Sequence, residues 1–301
     1  VGDVMLDKYY FGKVDRISPE APVPIVNIQK EESRLGGASN VANNIVSLGG
    51  HSLLCGVIGH DLFGKEIERI SRHKNIDTFL LKTSSPTITK ARIIGGKQQI
   101  VRVDYEDKSE LNADNKKLFR DTISRILPEY DILVISDYGK GLISEDLCRY
   151  LIKLAHKYDK KVIIDPKGKN WEKYSGADIV TPNVKELSDI VGYTVPNTDR
   201  AIEKAAREAI TNNHLTALLV TRSDKGMSLI GPIPPIHIPT HSEEVFDVSG
   251  AGDTVVATLG LCLAAGFEIS EAMRTANIAA GIVVKKVGTA TLTIEELVQQ
   301  K

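Results

Sequence analysis

The sequence predicts an α/β fold, with a mainly parallel central sheet, helices on both faces and a small appended β-sheet. Three observations predict it. Apolar runs of strand length alternate with segments of helical period along most of the chain. Several of those runs end in a polar or turn residue. Two stretches break the alternation with the spacing of short exposed strands. The 301 residues, 42% hydrophobic and 26% charged, suffice for one large domain spanning the whole chain, with room for an appendage but not a second full domain.

Taken in order, Val1-Gly2-Asp3 reads as the tail of a strand that starts upstream. Residues 9–30 and 87–105 are the two interrupting stretches. Ile93, Ile100, Val101 and Val103 alternate with polar residues there, which suits a half-buried sheet. So small a sheet cannot bury both faces alone, and is expected to cover the site as a lid, to pair with a second subunit as a homodimer, or both. Residues 38–48, 62–73, 112–127, 145–158 and 199–213 carry helical period, and a further apolar helix covers 255–265. Strands are expected at 53–58, 131–136, 161–165, 178–181 and 215–221. Asp137, Asp165, Asn183 and Thr221 fall at or just after strand ends, where open α/β sheets bind ligands.

With 38 basic and 39 acidic residues, no general field draws the chain to nucleic acid or an anionic membrane, so any bound anion needs a local site. Cys55, Cys148 and Cys262 lie far apart in apolar stretches, without CxxC spacing or neighbouring histidines, as expected of buried thiols in a reducing cytoplasm. No apolar run is long enough to span a bilayer and no secretory leader is visible.

The sharpest chemical signal is Phe246-Asp247-Val248-Ser249-Gly250-Ala251-Gly252-Asp253-Thr254, running into the apolar helix. Small residues admit a ligand close to the backbone, and free amides at a helix start attract an anion. Asp253 beside them can accept a proton from a hydroxyl, or simply cap the helix. Gly36-Gly37-Ala38-Ser39-Asn40 likewise lets a ligand approach a helix start, with the Asn40 amide available to hydroxyls. Residues 59–65 match most of a GxxxxGK phosphate loop, but Glu66 stands where that loop needs Ser or Thr, and Asp61 better starts a helix with Gly64 in its first turn.

Together these segments resemble the two signatures of the ribokinase-like, or PfkB, family of carbohydrate kinases, with Val248 in place of the usual Thr. The resemblance covers essentially the whole chain. It implies a ribokinase-like fold, ATP and Mg2+, Asp253 as catalytic base, and Gly250, Ala251 and Gly252 as an anion hole. It assigns Asn183 and Glu186 to the family's Asn-x-x-Glu motif, with Glu186 acting on the metal through water. Thr221 and Gly226 resemble the nucleotide turn and Asn277 an adenine-pocket contact, although an Asn there could equally be a satisfied core amide.

Gly2-Asp3-Val4-Met5-Leu6-Asp7-Lys8-Tyr9, residues 16–24, Ser136-Asp137-Tyr138-Gly139-Lys140-Gly141, Asp165-Pro166-Lys167-Gly168 and Val287-Gly288-Thr289-Ala290-Thr291 resemble, within that family, the bacterial D-glycero-D-manno-heptose-7-phosphate kinases of ADP-heptose synthesis. The implied reaction is phosphorylation of the anomeric hydroxyl, giving the 1,7-bisphosphate for lipopolysaccharide core. A small sugar phosphate needs cations, and Lys90, Arg92, Arg102, Lys140 and Lys167 are available, with Arg92, Lys140 and Lys167 favoured as a group. Asp3 is expected to bind sugar hydroxyls together with Gly36, Gly37 and Asn40. The alternatives are a kinase of the same family for a fructose phosphate, pentose or nucleoside, and a catalytically silent sugar-binding protein.

Overall fold

The computed structural model describes residues 1–96, 98–240, 245–286 and 288–299. Lys97 of the expected lid and Val287 of the C-terminal motif lie outside the described residues. In chain order the elements are β1 (Val4–Ile17), β2 (Pro24–Gly37), α1 (Ala38–Ser47), β3 (Leu53–Gly59), α2 (Leu62–His73), β4 (Asp77–Thr83), β5 (Thr89–Gly95) and β6 (Gln98–Tyr105). There follow α3 (Ala113–Ile126), β7 (Ile132–Ser136), α4 (Glu145–Lys157), β8 (Lys161–Asp165), β9 (Ile179–Val180), α5 (Val184–Val191), α6 (Asp199–Asn213), β10 (Leu218–Thr221), β11 (Met227–Ile230), β12 (Ile236–Ile238), α7 (Ala251–Ala264), α8 (Ile269–Val283) and α9 (Ile294–Val298).

The central sheet runs β12-β11-β10-β9-β8-β7 and is parallel from β7 to β10. Residues 1–3 extend it. Gly2 bridges Ser136 in parallel and donates its N–H to the Cys55 carbonyl, which brings in the parallel pair β3-β4. The reason is compositional: the strands here are near-continuous Val, Ile and Leu, as suits strands covered on both faces. One face packs Phe119, Leu151, Leu187 and Ala206 of α3 to α6 against the sheet; the other packs Val41, Val256, Leu259 and Met273 of α1, α7 and α8.

The appended sheet is larger than expected. Its four strands run β2-β1-β5-β6, with β1 and β5 parallel. The first strand begins at Val4 rather than near residue 9, because β1 leaves the buried core without a break, and β2 returns as far as Gly37. Nor is the sheet half-buried at β6. Ile100, Val101 and Val103 are 37%, 44% and 38% exposed, because β6 is the edge strand and nothing among the described residues covers it. The 59–65 segment forms no phosphate loop. Asp61 caps α2 by accepting from the Gly64 N–H at 2.8 Å, and also accepts from the Thr87 N–H and hydroxyl at 2.7 Å, tying the helix to the entry of β5.

Candidate active site

The site is built where α7 and α1 start, between the central sheet and the four-stranded sheet. Gly250 occupies the N-cap of α7 with φ 80°, a left-handed conformation, and no side chain caps the helix. Ala251 donates its N–H to the Val248 carbonyl at 3.2 Å, and among the described residues the Gly252 and Asp253 amides that follow are left for an outside acceptor. Nothing lies within 4 Å of where a side chain on Gly252 would begin, so the approach to them is open. Asp253, 3% exposed, is held by two donors from distant segments. The Asn40 amide donates to Oδ2 at 2.7 Å and the Tyr138 hydroxyl donates to Oδ1 at 2.7 Å. Burial lifts its pKa to about 6, while the two donors and Lys90 pull the other way and Asp7 adds to the rise.

Asn40 is delivered by α1, whose start rests on Gly37. That residue sits at φ +57°, and a Cβ there would lie 2.5 Å from the Asp3 carbonyl oxygen, so only glycine lets β2 turn into α1 this closely over residues 1–3. Gly36 pairs with Met5 across β1, and a Cβ on it would meet the Asp7 carboxylate at 2.5 Å. Asp7 is a site residue that sequence reasoning passed over. It is 4% exposed, bonds Arg92 at 2.5 Å, and acts electrostatically on Asp253, Lys90 and Tyr138. The available signal was an acidic residue directly behind the apolar run Val4-Met5-Leu6. Tyr138 was likewise quoted only as part of a motif, not as a partner of Asp253.

Asp3 lies at the centre of the site but faces the backbone. Its carboxylate accepts from the N–H groups of Tyr138 at 2.8 Å, Lys140 at 3.0 Å and Leu142 at 3.4 Å, fixing the loop after β7. Burial raises its pKa, and those amides oppose the rise.

The five cations separate into groups. Lys90 is half-buried, its ammonium 5.4 Å from the centre of the Tyr138 ring, with Arg92, Arg102 and Lys140 near enough to disfavour its charge. Burial is the main cause of its lowered pKa. Among the described residues Lys90 makes no ion pair, whereas Arg92 pairs with Asp7, Arg102 with Asp104 and Lys140 with Glu106. Lys140 and Asp3 also line a cleft of about 390 Å³ with Thr83, Ser85 and Asn112. Lys167 stands apart from Lys90 and Arg92, bonding Glu186 at 2.9 Å on the far side of Gly139.

That far side carries the other expected residues. Asn183 and Glu186 form a capping box on α5: the Asn183 side chain accepts from the Glu186 N–H at 2.9 Å and Glu186 accepts from the Asn183 N–H at 3.1 Å. Asp165, at the end of β8, has its pKa raised well above the ordinary carboxylate range by burial, then by Asp253 and Glu186. A cation placed among these crowded carboxyl groups would favour their ionised forms. Among the described residues no cluster of three or more His, Cys, Asp or Glu could hold a metal ion by itself; Glu186 is the carboxylate that could meet a divalent ion through water. Thr221 ends β10 and bridges Asn183. Gly226 closes the turn at φ +76°, where a Cβ would stand 2.0 Å from the Ile238 carbonyl oxygen. The Asn277 amide donates to the Pro239 carbonyl at 2.6 Å, so it is already engaged at the edge of this region.

An uncapped helix start, a buried carboxylate beside it and a sheet closing over both define a site for moving a phosphoryl group onto a small hydroxylated ligand. Residues 1–296 match the pfkB family of carbohydrate kinases, and the chain belongs to that family. It is 46% identical over 299 residues to the bifunctional protein HldE of Haemophilus influenzae, covering 99% of this chain and 62% of that one. The chain thus spans about three-fifths of the length of such curated relatives. To the D-beta-D-heptose 7-phosphate kinase of Bordetella bronchiseptica it is 45% identical over 298 residues, covering 99% and 93%. Solved structures share the fold. Phosphofructokinase-2 from Escherichia coli in complex with potassium superposes with a TM-score of 0.82 at 21% identity, covering 99% of this chain and 95% of that one. Arabidopsis thaliana ribokinase complexed with ribose and ATP gives 0.77 at 20%, covering 99% and 96%.

Proposed function

We propose that the chain transfers the γ-phosphoryl group of ATP to the anomeric hydroxyl of D-glycero-D-manno-heptose 7-phosphate, as a step towards ADP-heptose. The carrying observation is the Asp253 carboxylate, buried at the uncapped start of α7 and held by Asn40 and Tyr138. A pKa of about 6 leaves it ionised at neutral pH yet basic enough to take a proton from a hydroxyl. The bond formed joins the sugar oxygen to phosphorus, the bond broken frees ADP, and the hydroxyl proton passes to Asp253. At the Gly250-Ala251-Gly252 turn, the Gly252 and Asp253 amides offset charge on the transferring oxygens. Bound magnesium would neutralise phosphate charge on the Glu186 side of the site. The unpaired Lys90, backed by Arg92 and Lys140, supports a substrate that already carries a phosphate. The names of the heptose kinase relatives support the particular sugar.

The reading includes a cytoplasmic enzyme whose Cys55, Cys148 and Cys262, all buried and free, stay reduced. It also includes a homodimer paired through the exposed faces of the four-stranded sheet. Among the described residues no helix is long and apolar enough to cross a membrane. The test is ADP release with the heptose phosphate set against ribose, fructose 6-phosphate and adenosine, each repeated with Asp253→Asn. Selective turnover that disappears with the substitution supports sugar and base together. Preference for another acceptor keeps the kinase and discards the heptose, and no turnover with any acceptor leaves a binding protein.

A further inference from the structure

The family signatures account for the glycines, Asn40 and Asp253, but not for the aromatic ring that reaches the same carboxylate from the loop after β7. The Tyr138 hydroxyl stands 2.7 Å from Asp253 Oδ1, opposite the Asn40 amide on Oδ2. Its backbone is fixed independently of Asp253, because its N–H donates to Asp3 Oδ2 at 2.8 Å and the next two positions are held by Asp137 and again by Asp3. Lys90 lies against the ring, 5.4 Å from its centre. The backbone is thus held by Asp3, the ring has Lys90 against it, and the hydroxyl bonds one carboxylate oxygen.

We propose that Tyr138 is a positioning residue for the base: its hydroxyl, with the Asn40 amide, locks the Asp253 carboxylate in one orientation and keeps it ready to accept the sugar's proton. The inference rests on the reading of Asp253 as the base. A tyrosine suits the task because burial and the neighbouring carboxylates Asp253, Asp165 and Asp7 push its own pKa well above the ordinary value, so it donates its proton without giving it up. The charged groups acting on Asp253 are Asp7 from β1 and Lys90 from β5, while Asp165 from β8 lies near enough for Asp253 to raise its pKa. Asp7 favours the protonated form and Lys90 the ionised one, so with one carboxylate opposed by one ammonium the neutral donors help to decide the outcome.

The experiment is a carboxyl-carbon NMR titration of the whole chain labelled at aspartate, with the Asp253 signal assigned by its loss in Asp253→Asn. Tyr138→Phe removes only the hydroxyl. It is expected to move the Asp253 midpoint up by about one pH unit, the order set by losing one hydrogen bond to a charged group. Placing 3-fluorotyrosine at position 138 keeps the ring and strengthens the donor, and is expected to move the midpoint down. This second variant decides the matter if Tyr138→Phe fails to fold. A midpoint unchanged in the variants that fold overturns the proposal. The acid limb of kcat is then followed in parallel. If it shifts with the NMR midpoint, Asp253 is the titrating base. If the midpoint shifts and the limb does not, Tyr138 still holds the Asp253 carboxylate, and the assignment of Asp253 as base is the part that fails.

Discussion

At the scale of single residues, the site depends on a carboxylate kept where water would not put it. Burial raises Asp253 from 3.8 to about 6, so the fold favours its protonated form. That contribution to stability is fully present below pH 3.8 and is lost as pH rises through 6. Asp253→Asn is therefore expected to stabilise the chain by about 1–3 kcal/mol at about pH 8 while abolishing turnover, a gain that shrinks in acid and is read from thermal melts across pH. The Asn40 Oδ1, buried without a partner, can accept from the new amide once Asn40 turns over. The wild-type acid limb should fall as pH drops through about 6. Lys90→Met is expected to raise KM for the sugar phosphate about tenfold or more, with KM for ATP little changed, because it removes the site's unpaired ammonium.

At the scale of elements, local signals were legible and long-range ones were not. The caps at Asp61 and Asn183, the glycine turns and the alternation of strands with helices can all be read over a few residues. The partnership of Asn40 with Asp253 spans 213 positions and that of Tyr138 with Asp253 spans 115, distances at which sequence pattern carries no geometry. Asp3 illustrates the cost of that limit. A strand-end aspartate suggested sugar hydroxyls, and only the fold reveals three backbone amides already around it. Gly226 suggested a ligand, and the structure adds a packing reason: the turn leaves no room for a Cβ beside β12. Gly226→Ala is expected to destabilise the chain by about 2–4 kcal/mol and raise KM for ATP, checked by denaturant melts and initial rates.

At the scale of the whole molecule, the parallel sheet was evident from its continuous apolar runs, whereas the size of the second sheet was hidden because β1 carries one sequence through two environments. Val14, Ile17, Ile28, Val101 and Val103 remain 38–62% exposed on that sheet. In the proposed dimer, the double substitution Val101→Lys and Val103→Lys should convert a dimer in sedimentation to a monomer, because charge is introduced into a contact that must be dry. An unchanged dimer would place the interface elsewhere.

The same strand behaves as a cantilever. Val4, Met5 and Leu6, 0–1% exposed, clamp its root in the core, and Ile17, 62% exposed, is its free tip. A beam clamped at one end deflects least near the clamp, and Asp7 sits one residue beyond it. The stiff end thus carries Asp7, and thermal flexing is spent at the end where β2 alone pairs with the strand. Amide exchange along β1 should quicken steadily from Leu6 to Ile17, and weighting the tip with a second subunit should slow the swing without retuning the grip.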